Sequence, residues 1–469
     1  MTDVASAVAA GDLSFLGEPE FHDWVVEQRW FASKSREVSA MNVMEAVPLR
    51  GEAPLLVLAL VEARFPSGTH ETYQVPLGLR PAGEGWSERV ILEADGWTVY
   101  DALADAAHGR ELLHRMRSAS EVSAELGTLA FRWAESAGAG LGGTVDVRPV
   151  GVEQSNSSIV FGEALILKAF RRVEPGVNPE LELLRFLSKR GFPNIAPLAG
   201  WYEFEGRLLD ATLGTLQEYL ADGQDGWELA LDRLARDPEA FLDEIRALGE
   251  VSGELHSALG SDPTDPSFAP EEPSVESLSL LTADIDEQIE RVFVDLPENE
   301  TVEPILGRGQ DVRERLQAIS HIGSAGRVIR THGDYHLGQT MLTGRGWVIL
   351  DFEGEPARSL PERRRKRSPL RDVAGMLRSF SYAAAGSELL RGTPAPDGWE
   401  TRAREAFLGG YYDKVEGTLL PAGADATEKL LAVFELEKAV YELRYELNNR
   451  PDWVGIPVAG IVRLLDSED

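Results

Sequence analysis

The chain has 469 residues with 46 basic and 78 acidic side chains, giving a net charge of −32, and it contains no cysteine. That length exceeds the roughly 250 to 300 residues at which a single core stops growing, so two or three subdomains are expected. The charge argues against a general binder of nucleic acid or anionic membrane, whose phosphates would be repelled. The missing cysteine removes disulfides, thiolate zinc sites and cysteine nucleophiles, and fits a reducing compartment.

In chain order, MTDVASAVAAGDLSF lacks the basic start and long apolar core of a secretory leader. The apolar run Leu55 to Val61 falls well short of the roughly 20 residues a membrane helix needs. A soluble, cytoplasmic protein is therefore expected. From Pro19 to about Leu92 the text reads as a helix followed by short apolar runs broken by Gly and Pro, a small sheet-bearing unit. From about Val99 to Ala137 apolar residues at spacings of 3 and 4 predict helix. GAGLGG, Gly138 to Gly143, matches G-x-G-x-x-G but lacks the strand, glycine, helix context of a dinucleotide site, and is expected to be a helix stop and linker.

Beyond it, SSIVFGEALILKAF predicts two strands joined at Gly162 to Ala164, and NPELELLRFLSKR a helix with Pro179 at its first position. WYEFEGRLLDATLGTLQEYL predicts another strand pair leading into a connector. Helical patterns dominate from Trp227 to about Ala318, interrupted by GSDPTDPSFAPEEPS. Arg327 to Glu355 reads as strand, loop, strand, and the remainder as helix apart from SLPERRRKRSP and GTPAPDGWE. The expected class is α+β: a leading domain over residues 1–95, a strand-rich lobe with an intermediate segment over 96–213, and a helical lobe over 214–469.

The densest chemical signal is THGDYHLGQTMLTGRGWVILDFEGEP, Thr331 to Pro356. Phosphoryl transfer from ATP needs a carboxylate to accept or orient the acceptor's hydroxyl proton and oxygen ligands to hold magnesium against the phosphates. Kinase-like catalytic loops place an amide side chain five residues after the aspartate, and a strand then returns a second aspartate to the metal. Asp334, Gln339 and Asp351 reproduce that order, with the apolar run Trp347 to Leu350 between the last two. A single Asp in a turn more often caps a helix; the ordered set is what points to transfer. No G-x-x-x-x-G-K-[ST] is present, so a P-loop enzyme is not a competitor. The same chemistry asks for a strand lysine and a helix glutamate upstream, and Lys168 and Glu182 occupy those places. Just before them EQSNSSIVF, including Ser157, offers small hydroxyl and amide groups where a phosphate-covering hairpin would lie.

Taken together, EQSNSSIVF, LKAFRRVEPGVNPELE, HGDYHLGQ, DFEGEP, SPLRDVAGMLRSFSYAA and ELEKAVYELRYELNNRPDWVGIPVAGI resemble the actinobacterial maltokinases, relatives of the aminoglycoside phosphotransferases. QRWFASKSRE is similar to that family's cap domain, although Ser33 or Ser35 stands where the family often has Gly. The resemblance implies a bilobal, eukaryotic-protein-kinase-like fold with an N-terminal cap and a large helical C-lobe. It also implies use of ATP and Mg2+ to convert maltose to maltose 1-phosphate, feeding glycogen and α-glucan synthesis. In that reading Asp334 is the catalytic base, Gln339 and Asp351 are magnesium ligands, and Lys168 with Glu182 orients the phosphates. Backbone groups from Gln217 through Glu218 to Tyr219 hold adenine, and Glu353 is either a further metal-shell carboxylate or a structural one. Gln339 stands where the wider superfamily has asparagine and reaches one methylene further.

For the sugar, Tyr441 and Tyr445, and Glu442 and Glu446, are four apart and share helix faces. Carboxylates for vicinal hydroxyls and an aromatic plane under the ring suit a neutral polyol, and Arg450 and Trp453 flank the break at Pro451. The alternative is that the tyrosines pack in the core while the glutamates pair with Lys438 and Arg444. His336 could reach the same hydroxyls or serve as a structural donor. Asp372 is expected to cap its helix or pair with an arginine, and Arg363 to Arg367 to be a solvated loop or a contact for nucleotide or partner. Three readings compete with a maltokinase: an amino-sugar kinase such as a glucosamine kinase, an aminoglycoside kinase, and a kinase-like scaffold for trehalose synthase, the partner that the resemblance suggests.

Overall fold

Nine of the ten residues of the strand Leu55–Arg64 are buried on both of its faces, and the reason is that this strand is sandwiched. The structure, a computed structural model, describes residues 4–16, 19–135, 145–150, 156–207, 209–317 and 325–466. It divides into two compact units, one of residues 1–189 and 196–221, the other of residues 190–195 and 222–469.

The first unit begins with helices α1 (Val4–Ala9) and α2 (Glu20–Glu27). An antiparallel sheet follows from β1 (Ala40–Arg50), β2 (Leu55–Arg64), β3 (His70–Pro81), β4 (Val90–Ala94) and β5 (Trp97–Asp101), in the order β1-β2-β3-β5-β4. Val57, Ala59 and Val61 of β2 pack with Phe21 and Val25 of α2. Leu56, Leu58 and Leu60 point the other way into a core shared with Leu129, Phe131 and Leu167. Alternation between two apolar layers makes the run continuous, and each such leucine contributes about 1.5–3 kcal/mol when fully buried.

Helix α3 (Ala106–Arg117) leads into β6 (Glu121–Ser123), β7 (Gly127–Trp133), β8 (Val147–Val150), β9 (Asn156–Phe161), β10 (Leu165–Phe170) and β11 (Arg172–Val173). Then come α4 (Pro179–Lys189), β12 (Leu198–Gly206) and β13 (Asp210–Glu218). Among the described residues the second sheet has the order β6-β7-β12-β13-β10-β9-β8, while β11 leaves it to pair with β3. The expected hairpin at Gly162 forms, with a left-handed φ of 59°. The helix expected over Val99 to Ala137 is largely a sheet segment: only Ala106–Arg117 is helical, and Gly127–Trp133 is a strand. There Leu129 and Phe131 alternate inward, and period 2 with sheet neighbours on both sides overrides the 3-to-4 spacing. The glycine run 138–143 lies outside the described residues. The expected boundary at residue 95 splits the β4–β5 pair, and the one at 213 cuts β13, so both elements hold the chain together past those points.

The second unit contains β14 (Gln224–Asp225), α5 (Gly226–Arg236), α6 (Pro238–Leu259), α7 (Val275–Val294), α8 (Gly309–Gln317), β15 (Thr340–Thr343) and β16 (Gly346–Ile349). It ends with α9 (Leu360–Arg363), α10 (Leu370–Arg391), α11 (Trp399–Lys414), α12 (Ala424–Asn449) and α13 (Gly455–Asp466). Helices α6 and α11 meet backbone to backbone: a Cβ at Gly249 would stand 2.1 Å from the Phe407 carbonyl oxygen. No described helix is long and apolar enough to cross a membrane.

Candidate active site

In the first unit Lys168 sits on β10 and its Nζ lies 3.1 Å from Glu180 Oε2. The expected partner was Glu182; the ion pair forms one position pair earlier on α4. Asn178 Oδ1 accepts the Glu180 N–H at 2.8 Å and Pro179 starts the helix, so Glu180 falls on the face that turns to the sheet and is only 1 % exposed. Glu182 lies 200° further round the helix and is half-buried. Gln217 Nε2 donates to Glu180 Oε1 at 2.9 Å, holding that carboxylate in place.

Two nucleotide expectations need correcting here. The N–H groups of Glu218 and Tyr219 already donate to the carbonyls of Pro197 and Ala164, at 3.0 and 2.8 Å, because both flank paired strands. These two N–H groups are thus engaged within the sheet, and any adenine contact of residues 217–219 would fall to their other backbone groups. Ser157 Oγ accepts from buried Arg171 Nε at 2.7 Å, and Arg171 also pairs with Asp101, so Ser157 fastens strands rather than facing a phosphate. Residues 151–155, the rest of the expected hairpin, lie outside the described residues.

In the second unit the catalytic-loop text forms a tight structure built on α10. Buried Asp372 accepts the N–H groups of His332 and Gly333 at 2.8 and 3.0 Å, and His256 Nε2 approaches it at 3.1 Å. Burial alone would raise the Asp372 pKa; the hydrogen bond and charge of His256, His332 and the Gly333 N–H overcome it and hold the carboxyl below its usual range. Three and seven residues on, Gly375 leaves room for the Tyr335 carbonyl, which a Cβ would meet at 2.6 Å, and Ser379 Oγ accepts the Leu337 N–H at 3.3 Å. One face of α10 thus supports residues 332–337. Asp372 was expected to cap its helix or meet an arginine; its readable signal is the Asp, Gly, Ser spacing of i, i+3, i+7, which puts the three on one side of the helix.

His332 Nε2 donates to the Leu350 carbonyl at 2.8 Å, and its Nδ1 accepts the Asp334 N–H at 3.3 Å, which fixes the backbone from which the Asp334 carboxylate projects. Gln339 Nε2 is 3.0 Å from Asp351 Oδ2 at the end of β16. Asp351 adopts φ 59°, a left-handed backbone uncommon for aspartate and of the kind that clusters at functional sites. The Gln339 amide and the Asp351 carboxylate meet at this spot, and hard oxygens from side chains of these two kinds fit magnesium. Glu353 lies two residues on, and Arg363 Nη1 binds its carbonyl at 3.1 Å.

A cavity of about 80 Å³ opens at Asp334, lined also by Glu355, Arg358, Glu437, Lys438 and Tyr441. Lys438 Nζ is 3.7 Å from Asp334 Oδ1, and His336 Nε2 is 3.9 Å from Asp334 Oδ2. Burial lowers the His336 pKa against the pull of Asp334, and its Nδ1 accepts the Gly338 N–H, so the neutral ring carries its proton on Nε2, toward Asp334. Burial would raise the Glu355 pKa, but Arg358 and Lys438, with a hydrogen bond from Tyr441, hold it below its usual range.

Of the expected sugar residues, Tyr441 reaches this cavity, on the α12 face that also carries Phe434, Glu437 and Lys438. Tyr445 continues that face one turn on and is 47 % exposed. Glu442 and Glu446 do not face it: Glu442 binds buried Arg378 Nε at 2.9 Å, and Glu446 accepts from the Tyr382 hydroxyl at 2.9 Å and Arg450 Nε at 2.8 Å. Residues one apart on a helix point 100° apart, and here that turn carries Glu442 from the cavity side toward buried Arg378. Arg450 and Trp453 join Glu446 in a separate cluster, where the Trp453 ring stacks 6.0 Å from Tyr382. Sequence reasoning missed Glu355, Arg358 and Glu437 of this cavity and expected Lys438 only as a partner for glutamates; for Lys438 the spacing of three from Tyr441 was the available signal.

Comparison with known proteins gives two family matches: the maltokinase N-terminal cap domain over residues 24–105 and the phosphotransferase enzyme family over residues 146–408. The chain is similar to a glucosamine kinase of Mycolicibacterium smegmatis, 28 % identical over 68 % of this chain and 79 % of the relative. A glucosamine kinase of Streptacidiphilus jiangxiensis is 27 % identical over 82 % and 89 %. Among solved structures, a glucosamine kinase in its crystal form B superposes with a TM-score of 0.71 at 18 % identity, covering 99 % of this chain and 100 % of that one. A glucosamine kinase in complex with glucosamine, ADP and inorganic phosphate gives 0.68 at 18 %, covering 94 % and 98 %. These likenesses establish the kinase-like fold with its cap and helical C-terminal region.

Proposed function

The chain belongs to the phosphotransferase enzyme family, and we propose that within it the protein is an ATP-dependent sugar kinase that phosphorylates maltose at its anomeric hydroxyl, giving maltose 1-phosphate and ADP. The observation that carries the choice of acceptor is Lys438, whose ammonium stands 3.7 Å from Asp334 in the acceptor cavity. A cation there is compatible with a neutral sugar and opposes the ammonium of glucosamine at the reacting end; a multiply charged aminoglycoside fares worse. Glucosamine is the second acceptor to be tested, because the similar proteins carry the glucosamine kinase name.

In this reading Asp334 takes the proton from the attacking hydroxyl, and Lys438 with the neutral His336 orients its carboxylate. Lys168, steadied by Glu180 and Gln217, holds the phosphates of ATP. Gln339 and Asp351 would hold Mg2+, which supplies charge neutralisation on the transferring phosphoryl group. Tyr441 and Glu355 are the hydrogen-bonding wall for sugar hydroxyls.

The deciding experiment incubates the protein with ATP, magnesium and, separately, maltose, glucose, glucosamine and an aminoglycoside, and reads products by 31P and 13C NMR. Phosphate on the anomeric carbon of maltose supports the proposal. Phosphorylated glucosamine with maltose untouched replaces the acceptor, and no product with any sugar favours a scaffold role. The resemblance also suggests a trehalose synthase partner, which co-elution of the two purified proteins checks.

A further inference from the structure

The cavity at Asp334 continues into a second chamber of about 230 Å³. The two share Arg358, Arg367, Arg371, Glu362 and Glu437, and the second chamber adds Arg365 and Lys366. In a chain of net charge −32 this is an unusual place: five cations face two carboxylates.

Three of the five have acidic partners, Arg358 with Glu355, Arg371 with Glu437 and Lys366 with Glu271. Arg367 does not. Its guanidinium contacts the backbone carbonyl of Glu362 at 3.4 Å, and no carboxylate of the described residues forms an ion pair with it. Burial, and then the charges of Arg371 and Arg358, press its pKa down to about 10. Glu437 and Glu355 attract it only from beyond ion-pair distance and do not offset burial and the two neighbouring guanidiniums, so a bound anion relieves a real cost. Arginine's planar fork matches phosphate oxygens in particular, and the Arg365 side chain stands exposed on the rim as a second donor.

We propose that this second chamber binds a phosphate dianion, either inorganic phosphate or the phosphate of a sugar monoester whose sugar extends into the cavity at Asp334. A sugar phosphate held this way occupies the acceptor's space, so it inhibits competitively against the sugar and not against ATP. The site stands on the chamber's charge and does not depend on which sugar the enzyme phosphorylates.

The test is isothermal titration calorimetry of the full chain, at constant ionic strength in chloride, with inorganic phosphate and with glucose 6-phosphate as probes. The expected result is saturable binding of at least one probe, weakened tenfold or more by Arg367→Gln and several-fold by Arg365→Gln. Equal binding of both assigns recognition to the phosphate alone, and tighter glucose 6-phosphate adds the sugar. Because Arg365 is exposed, its variant reports even where Arg367→Gln melts early. No saturable binding of either probe, or binding undiminished in the folded variants, overturns the proposal, whatever the product assay has shown about maltose.

Discussion

Asp334 and Lys438 are separated by more than a hundred positions in sequence, yet they meet on the wall of one cavity, the proposed acceptor site. Removing that ammonium should relax the choice of sugar: Lys438→Gln is expected to raise the ratio of glucosamine to maltose kcat/KM about ten- to hundredfold, corresponding to roughly 1.4–2.8 kcal/mol of lost repulsion. Steady-state kinetics on both sugars checks this, and an unchanged ratio removes Lys438 from specificity. On the nucleotide side, Glu180 and Glu182 are two positions apart but have different surroundings. Glu180→Gln should raise KM for ATP about tenfold or more, whereas Glu182→Gln should stay within about twofold. Lysine, carboxylate and aspartate identities were legible in the chain because their order along it mirrors the chemistry. The choice of Glu180 over Glu182 was not, since it depends on where the Asn178 cap starts the helical turn.

A helix distributes its residues among several environments, and α10 and α12 show how much follows from that. The α10 face carrying Asp372, Gly375 and Ser379 holds residues 332–337 by their backbone. Asp372→Asn should lower kcat about ten- to hundredfold with little change in KM for ATP and reduce stability by about 2–4 kcal/mol, because buried donors lose a charged acceptor. Differential scanning calorimetry and kinetics read the two effects separately. On α12, Glu442→Gln should act on stability by about 3 kcal/mol through the stranded charge of Arg378, with KM for the sugar unchanged within about twofold. A large rise in that KM would return Glu442 to the sugar site. The sequence placed both helices by their length, 22 and 26 residues, although neither carries a marked apolar stripe. It gave the wrong face of α12 to the sugar at positions 442 and 446, because tyrosine and glutamate pairs four apart read the same whether they meet solvent, substrate or another helix.

For the whole molecule, the pH response is set by carboxylates whose pKa values lie below the unfolded range, Asp372 and Glu355 among them. A depressed carboxyl stabilises the fold above the unfolded pKa of about 4, and that contribution disappears as pH falls through the lower folded value. Near-UV circular dichroism should therefore be flat from neutrality to about pH 4 and collapse below it. In Asp372→Asn the acid limb should be shallower, and an identical limb would show that other groups control it.

What the sequence determined by itself is residue type and the succession of elements: leading sheet strands, a strand-rich stretch with its lysine, and a helical stretch with the ordered aspartate, glutamine and aspartate. Those follow from residue type and short spacing, which survive without coordinates. Tertiary structure decided which groups meet. It turned residues 127–133 from apparent helix to strand by supplying neighbours on both edges. It also directed Glu442 and Glu446 into buried pairs, brought Lys438 beside Asp334, and gathered the arginines of a loop that reads as solvated into a chamber where no carboxylate of the described residues forms an ion pair with Arg367. Side-chain partners drawn from distant segments are fixed by packing, and no local pattern records them.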